Sequence, residues 1–176
     1  HELMQQTRRY FHIADDADIS IEIDPREANA NTIKLLKSIG FNRISLGVQD
    51  FDPLVQKAVN RIQSEAETLA VIDAARQHQF RSISVDLIYG LPRQTLAGFN
   101  TTLDKIIAAD PDRISLFNYA HMPSLFKTQR QIKSEDLPSA EQKLSLLQLS
   151  INKLTQAGYR YIGMDHFAKP DDELSL

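Results

Sequence analysis

Five short apolar segments alternate with helical stretches along this sequence, and that order constrains the fold more than any other feature. Short runs rich in β-branched residues predict buried strands, whereas apolar residues spaced three and four apart predict helices. Gly40 is expected as a left-handed C-cap and Ser139 as an N-cap. The predicted strands are 19–23, 43–48, 82–89, 113–119 and 162–167, and the predicted helices are 1–11, 31–38, 65–78, 96–108 and 140–157.

Strands that are apolar on both faces and separated by single helices pair in parallel through right-handed crossovers. The choice then lies between a barrel and an open doubly wound sheet. No Gly-x-Gly-x-x-Gly loop follows any predicted strand, which argues against a dinucleotide-binding open sheet. The sequence therefore predicts an α/β fold, a partial (β/α) TIM-like barrel of parallel strands with outer helices.

The composition excludes several classes of protein. The chain has no cysteine, so it offers no disulfide, thiol nucleophile or cysteine-ligated metal. Its net charge of -3 comes without a block of like charges, which argues against nucleic acid or an anionic membrane as partner. No apolar run approaches the roughly 20 residues of a membrane helix. We therefore expect a soluble, cytoplasmic protein with one domain, or most of one, in its 176 residues.

Polar residues at the predicted strand ends are the candidates for a ligand site. In TIM-like barrels the site lies on the face formed by the carboxyl ends of the strands. A charged small molecule is compatible with such a site. The polar candidates are Glu22, Asp24, Gln49, Asp50, Asp86, Asn118, Tyr119, His121, Asp165 and His166.

Asp86 is the most informative of these residues, because it lies within the apolar segment Val85-Asp86-Leu87. A carboxylate buried without a partner costs several kcal/mol. We expect either a structural partner, such as a backbone amide or an arginine, or a bound ligand.

Other patterns carry less information. None of the five histidines has the spacing of a zinc site, and Asp165 and His166, if adjacent on one strand, point to opposite faces. The sequence therefore predicts no metal site within this chain. No nucleophile elbow or phosphate-binding loop is present. The cations that follow strand ends are typical of solvated surface, although each could reach a ligand: Arg61, Arg93, Lys127 and Arg130.

Four segments closely resemble the oxygen-independent coproporphyrinogen III oxidases, also called coproporphyrinogen dehydrogenases, which are radical S-adenosylmethionine (SAM) enzymes. They are residues 20–27 (SIEIDPRE), 41–51 (FNRISLGVQDF), 86–92 (DLIYGLP) and 163–168 (GMDHFA). The GVQ and DLIYGLP strings are shared with related heme chaperones, so a heme-binding and heme-transferring protein is the alternative. Residues 117–123 and 164–168 resemble the oxidases and not the chaperones.

The resemblance implies a barrel that holds a [4Fe-4S] cluster on a cysteine loop and binds two molecules of SAM. It implies a 5'-deoxyadenosyl radical reaction that oxidatively decarboxylates two propionates of coproporphyrinogen III, giving protoporphyrinogen IX in heme biosynthesis. An electron donor and an electron acceptor are further partners that it implies.

By matching positions, the resemblance assigns Glu22 to the cluster-bound SAM and Phe117 to an adenine pocket. It assigns Gln49, Arg61, Asp86 and Ala120 to the second SAM. The cluster loop would precede residue 1 and a C-terminal domain would follow residue 176. We thus expect residues 1–176 to be the central and C-terminal part of the barrel, inactive alone. The parent is expected to be monomeric, whereas the fragment should self-associate through its exposed edge.

Overall fold

The computed structural model describes residues 2–176, which form one six-stranded sheet with helices packed against it. The strand order across the sheet is β1-β2-β3-β4-β6-β5. The strands are β1 (Ser20–Ile23), β2 (Arg43–Gln49), β3 (Ser82–Tyr89), β4 (Arg113–Asn118), β5 (Arg160–Gly163) and β6 (His166–Ala168). The helices are α1 (Glu2–Tyr10), α2 (Ala30–Ser38), α3 (Pro53–Ala58), α4 (Glu65–Gln77), α5 (Leu96–Ala109) and α6 (Ala140–Gln156).

The first four strands pair in parallel, as predicted. A helical connection joins each of them to the next, and one face of the sheet packs against the helices to form the core. Val85 and Leu87 of β3 are fully buried on that face, together with Phe99 and Leu103 of α5. The α/β partial barrel expected from the sequence is confirmed, and the sheet does not close within the described residues.

The last strand differs from the prediction. Residues 160–168 form an antiparallel hairpin of β5 and β6, and β6 runs antiparallel to β4. Met164 and Asp165 both have positive φ, as the central residues of a type I′ turn do. The prediction of a single parallel strand was wrong because Met-Asp lacks the Asn-Gly signature of such turns. Asp165 therefore lies in a turn and not at the end of a parallel strand.

The predicted helix ends agree well with the structure. Ser139 caps α6 by accepting a hydrogen bond from the Gln142 amide, and Gly40 adopts φ of +109° after α2. Residue 1 of the first predicted helix lies outside the described residues. The short helix α3 was not predicted, although Asp52 and Pro53 carry the usual start signal. None of the helices within residues 2–176 is long and apolar enough to cross a membrane.

Asp50, just after β2, carries a deeply buried carboxylate and is 1% exposed. It accepts hydrogen bonds from Thr102 Oγ1 at 2.5 Å, Gln94 Nε2 at 2.7 Å and the Asp52 amide at 2.9 Å. Burial raises the pKa of Asp50, although these hydrogen bonds oppose the shift. Asp50, a ligand candidate in the sequence, is instead a structural residue that ties β2 to α5 and to the turn after β3.

Thr102→Val is expected to destabilise the chain by about 1–3 kcal/mol, because it leaves the Phe51 amide without its acceptor and removes a donor to Asp50. Losing that donor raises the pKa of Asp50 further, so the destabilisation should be larger near about pH 7 than near about pH 4. Urea denaturation at both pH values measures this. Thr101→Val, on the exposed face of the same helix, is the control. Equal effects of the two variants would contradict the assigned role.

The outer edge of β1 has no neighbouring strand within the described residues. Unpaired strand edges promote association with other chains. We therefore expect concentration-dependent self-association of the chain in sedimentation velocity. Ser20→Lys, which adds a charge on this edge, should reduce the association, whereas Gln148→Lys on the exposed face of α6 should not. A chain that is monomeric at every concentration would contradict this prediction.

Candidate functional site

The candidate site begins where β2 ends. The pairing register of β2 with β3 shifts between Gly47 and Gln49, and Gln49 has φ of +69°. Such bulges redirect side chains and are common beside functional sites. A Cβ on Gly47 would lie 2.9 Å from Gln49 Nε2 and 3.2 Å from Arg61 Nη2. Glycine at position 47 therefore allows the Gln49 and Arg61 side chains to lie over the strand.

Arg61 is fixed by two partners at the top of the sheet. Its Nη2 donates to the Gly47 carbonyl oxygen at 2.8 Å, and its Nη1 donates to Asp24 Oδ2 at 3.1 Å. Hydrogen bonds from Arg26 lower the pKa of Asp24 to about 2, so its carboxylate stays ionised. The Arg61 Nε atom is buried and has no hydrogen-bond partner among the described residues. These two hydrogen bonds use only two of the five N–H donors of Arg61, so the guanidinium keeps donors for a ligand.

A pocket of about 260 Å³ opens beside Arg61, at the carboxyl ends of β2 and β3. One wall comes from the strands and the turn after β3, and the other comes from the 3₁₀ helix Lys127–Gln131 and the residue that follows it. Half of the ten wall residues are aliphatic or aromatic, and the other half carry amide, hydroxyl or guanidinium groups. The lining consists of Gln49, Val59, Arg61, Ile88, Leu91, Tyr119, Thr128, Gln129, Gln131 and Ile132.

Gln129 holds together the loop that forms the second wall of this pocket. Its Nε2 donates to the Ala120 carbonyl oxygen at 3.0 Å, and its Oε1 accepts from the Met122 amide at 2.5 Å. Tyr119, whose hydroxyl lies 3.2 Å from His121 Nδ1, forms the adjoining part of the wall. Burial raises the pKa of the Tyr119 phenol, so it remains protonated at neutral pH. These contacts fix the shape of the loop from 120 to 132, and the Tyr119 amide ties its start to β3 by donating to the Tyr89 carbonyl oxygen at 2.9 Å.

Asp86 lies on the same face of β3 as the pocket residue Ile88, two residues before it. It is half-buried and accepts a hydrogen bond from Ser45 Oγ at 2.9 Å. The partner expected for this carboxylate is thus a hydroxyl group, and no arginine neutralises it in the hydrogen bonds and ion pairs of residues 2–176. Asp86 keeps the capacity to bind a donor on a ligand.

The six residues assigned from the resemblance occupy different parts of this region. Gln49 and Arg61 line the pocket, and Asp86 lies below it. Phe117 is 40% exposed at the end of β4, with its ring 6.3 Å from that of His166. The Ala120 carbonyl oxygen accepts the hydrogen bond from Gln129 and lies behind the pocket wall. Glu22 lies outside the pocket, exposed on the edge strand β1 opposite Ser45.

Sequence reasoning missed the second wall of the pocket. Thr128, Gln129 and Ile132 belong to a polar segment without strand or helix periodicity, and the sequence offered no signal for them. Across residues 2–176, no group of three histidine, aspartate or glutamate side chains could hold a metal ion.

Comparison with known proteins identifies the family. The radical SAM superfamily profile matches residues 2–106. The oxygen-independent coproporphyrinogen III oxidase of Pseudomonas aeruginosa is 58% identical over 176 residues, which is 99% of this chain and 38% of that protein. The enzyme of the same name from Salmonella typhimurium is 55% identical over 174 residues, with the same two coverages. The chain thus spans about two fifths of the length of these relatives.

A solved structure gives the same answer. It is described as the coproporphyrinogen III oxidase of Escherichia coli, a radical SAM enzyme, and it is 52% identical in sequence. It superposes with a TM-score of 0.97 over 99% of this chain and 40% of its own. Because the superfamily profile covers more than half of the chain and the fold agrees, this chain belongs to the radical SAM superfamily.

Proposed function

We propose that residues 1–176 are the central and C-terminal part of the catalytic barrel of an oxygen-independent coproporphyrinogen III oxidase. The observation that carries this proposal is the 58% identity over 99% of the chain to a relative of that name. The rest of the longer protein supplies the cluster-binding segment and a C-terminal domain. The names of the relatives favour the oxidase over the heme chaperone.

The proposed reaction is the oxidative decarboxylation of two propionate side chains of coproporphyrinogen III. Each propionate loses a hydrogen atom from its β-carbon, then carbon dioxide and one electron, which leaves a vinyl group. The electron passes to a separate acceptor, and the product is protoporphyrinogen IX. When bound, SAM and the cluster would together supply the radical chemistry that removes the hydrogen atom.

The pocket beside Arg61 fits part of a SAM molecule. Ile88, Leu91 and Ile132 offer apolar surface for an adenine ring. The Arg61 guanidinium suits a carboxylate, and the amide oxygen of Gln49 can accept from an ammonium group. The residues present thus agree with the chemistry of the second SAM.

The remaining assigned residues lie outside the lining of this pocket. The half-buried Asp86 can accept from the ribose hydroxyls of the second SAM, and Ala120 offers its backbone. Phe117, exposed at the end of β4, can stack on an adenine ring. Glu22 lies on the edge strand, beside the position proposed for the cluster-bound SAM.

The cluster has no fit within this chain. A [4Fe-4S] cluster is held by cysteine thiolates, and the chain has none. We therefore propose that every cluster ligand comes from elsewhere in the longer protein. The chain by itself would be inactive, and its own part is to bind and orient SAM.

Orientation depends on contacts already made within the chain. Asp24 and the Gly47 carbonyl oxygen hold the Arg61 guanidinium in place, so little side-chain entropy is lost when a ligand binds. Asp50, through Gln94, fixes the turn after β3 and therefore Leu91 in the pocket. The pocket is organised before the cofactor arrives.

Isothermal titration of SAM into the folded chain tests the cofactor site. Weak binding is expected, and Asp86→Ala should lower the affinity by about tenfold or more, because a hydrogen bond to a charged group contributes about 1.5–3 kcal/mol. Asp73→Ala, an exposed aspartate on α4, is the matched control. Unchanged affinity in Asp86→Ala, or no binding by a folded chain, would count against this site.

Complementation tests the function itself. The longer protein that contains this chain is expected to restore anaerobic growth of a strain that lacks its own enzyme and requires heme. Arg61→Ala in that protein should abolish complementation, whereas Arg81→Ala, an exposed arginine before β3, should not. A protein that binds heme but fails to complement would favour the chaperone.

A further inference from the structure

The face of the sheet opposite the helices carries unusually small side chains. Ser45, Ser82, Ser84 and Ser115, together with His166, line a cavity of about 300 Å³ within the curve of the sheet. In closed eight-stranded TIM barrels, bulky branched residues fill this space. Here a polar lumen remains, and Ser45 connects it to Asp86 through a hydrogen bond.

The last residues of the chain lie beneath this lumen. The sequence after residue 168 carried no predicted element, but the structure places a 3₁₀ helix at Glu173–Ser175. Asp172 caps that helix by accepting from the Leu174 amide at 2.8 Å. The Leu174 side chain lines the lumen cavity from its lower end. The helix therefore presents an apolar side chain to a polar opening.

Ion pairs hold this segment against the amino ends of the strands. Arg113, the first residue of β4, donates from Nε to both carboxylate oxygens of Asp172, at 2.8 and 3.0 Å. Arg43, the first residue of β2, pairs with Glu173 and also lies 2.9 Å from Asp18. The side chains of Arg43 and Asp172 are 8% and 7% exposed. Because a buried charge without an oppositely charged partner is strongly destabilising, these ion pairs hold residues 172 and 173 in one position.

Two further contacts complete the attachment. The Arg160 guanidinium donates to the Ser175 carbonyl oxygen at 3.0 Å, and the Lys169 amide donates to the Asp112 carbonyl oxygen at 3.0 Å. The segment is thus tied to β2, β4 and β5 and to the turn before β4. Contacts with three strands indicate that this segment is a fixed part of the barrel base.

We propose that residues 169–176 form a floor that covers the base of the lumen and shields it from bulk water. The Leu174 side chain lies at the opening of the cavity. Arg43 and Arg113 serve as its anchors. The floor shields the lower part of the lumen, where Ser82 is 4% exposed, from bulk water. Excluding water strengthens the electrostatic interactions of a site. The inference rests on these contacts and holds whatever the substrate of the barrel is.

Because the chain contains no cysteine, single-cysteine reporters can test the floor. Ser82→Cys reports on the lumen, since Ser82 is 4% exposed and lines the cavity. Ser150→Cys reports on the helix-side interior, since Ser150 is fully buried in α6, away from the cavity. The floor is opened by Asp172→Asn with Glu173→Gln, or separately by Leu174→Ala. The rate of reaction with a soluble thiol reagent is measured in each background.

Opening the floor should speed labelling of the Ser82→Cys reporter by at least about tenfold, the factor given by about 1.4 kcal/mol of lost closure free energy. Labelling of the Ser150→Cys reporter should not change. Equal rates for the lumen reporter with and without the floor substitutions would overturn the proposal. So would a parallel rise in both reporters, because the segment would then support the whole fold and not the lumen alone.

Discussion

Parallel pairing of β1 to β4 is the constraint on which the rest of the structure depends. It places the carboxyl ends of four strands at one edge of the sheet, so residues far apart in sequence share one pocket. Arg61 reaches across from the segment after β2 to Asp24 after β1. The same pairing places the first residues of β2 and β4 at the opposite end, where their arginines meet the last segment of the chain.

Three carboxylates near the site differ because their surroundings differ. Asp24 is held ionised by two arginines and in turn positions one of them. Asp50 is buried with three donors and holds together a loop, a helix and a turn. Asp86 has one hydroxyl partner, Ser45, and faces the lumen. Only the last of these has capacity left for a ligand, which suits its proposed place beside the second SAM.

Different interactions form the two ends of the lumen. The upper end has a partly apolar pocket with a few fixed donors, which suits a cofactor that carries both an adenine ring and charged groups. The lower end has buried ion pairs and one leucine, which suit a permanent closure. The serines between them leave open space that larger side chains would fill. The same sheet thus carries the pocket beside Arg61 at one end and the proposed floor at the other.

The sequence by itself determined the order of the elements, the parallel sheet, the helix caps and the strand ends that form the site, because hydrophobic periodicity and turn residues are local signals. Family resemblance added Arg61, which spacing alone did not distinguish from surface cations. Only the tertiary structure decided that residues 160–168 form a hairpin, that Asp50 is structural and that Gln129 closes the pocket. The first two outcomes depend on contacts between segments distant in sequence, and the third depends on a side chain that bonds the backbone seven and nine residues away in an irregular loop. No local pattern of residues specifies such contacts.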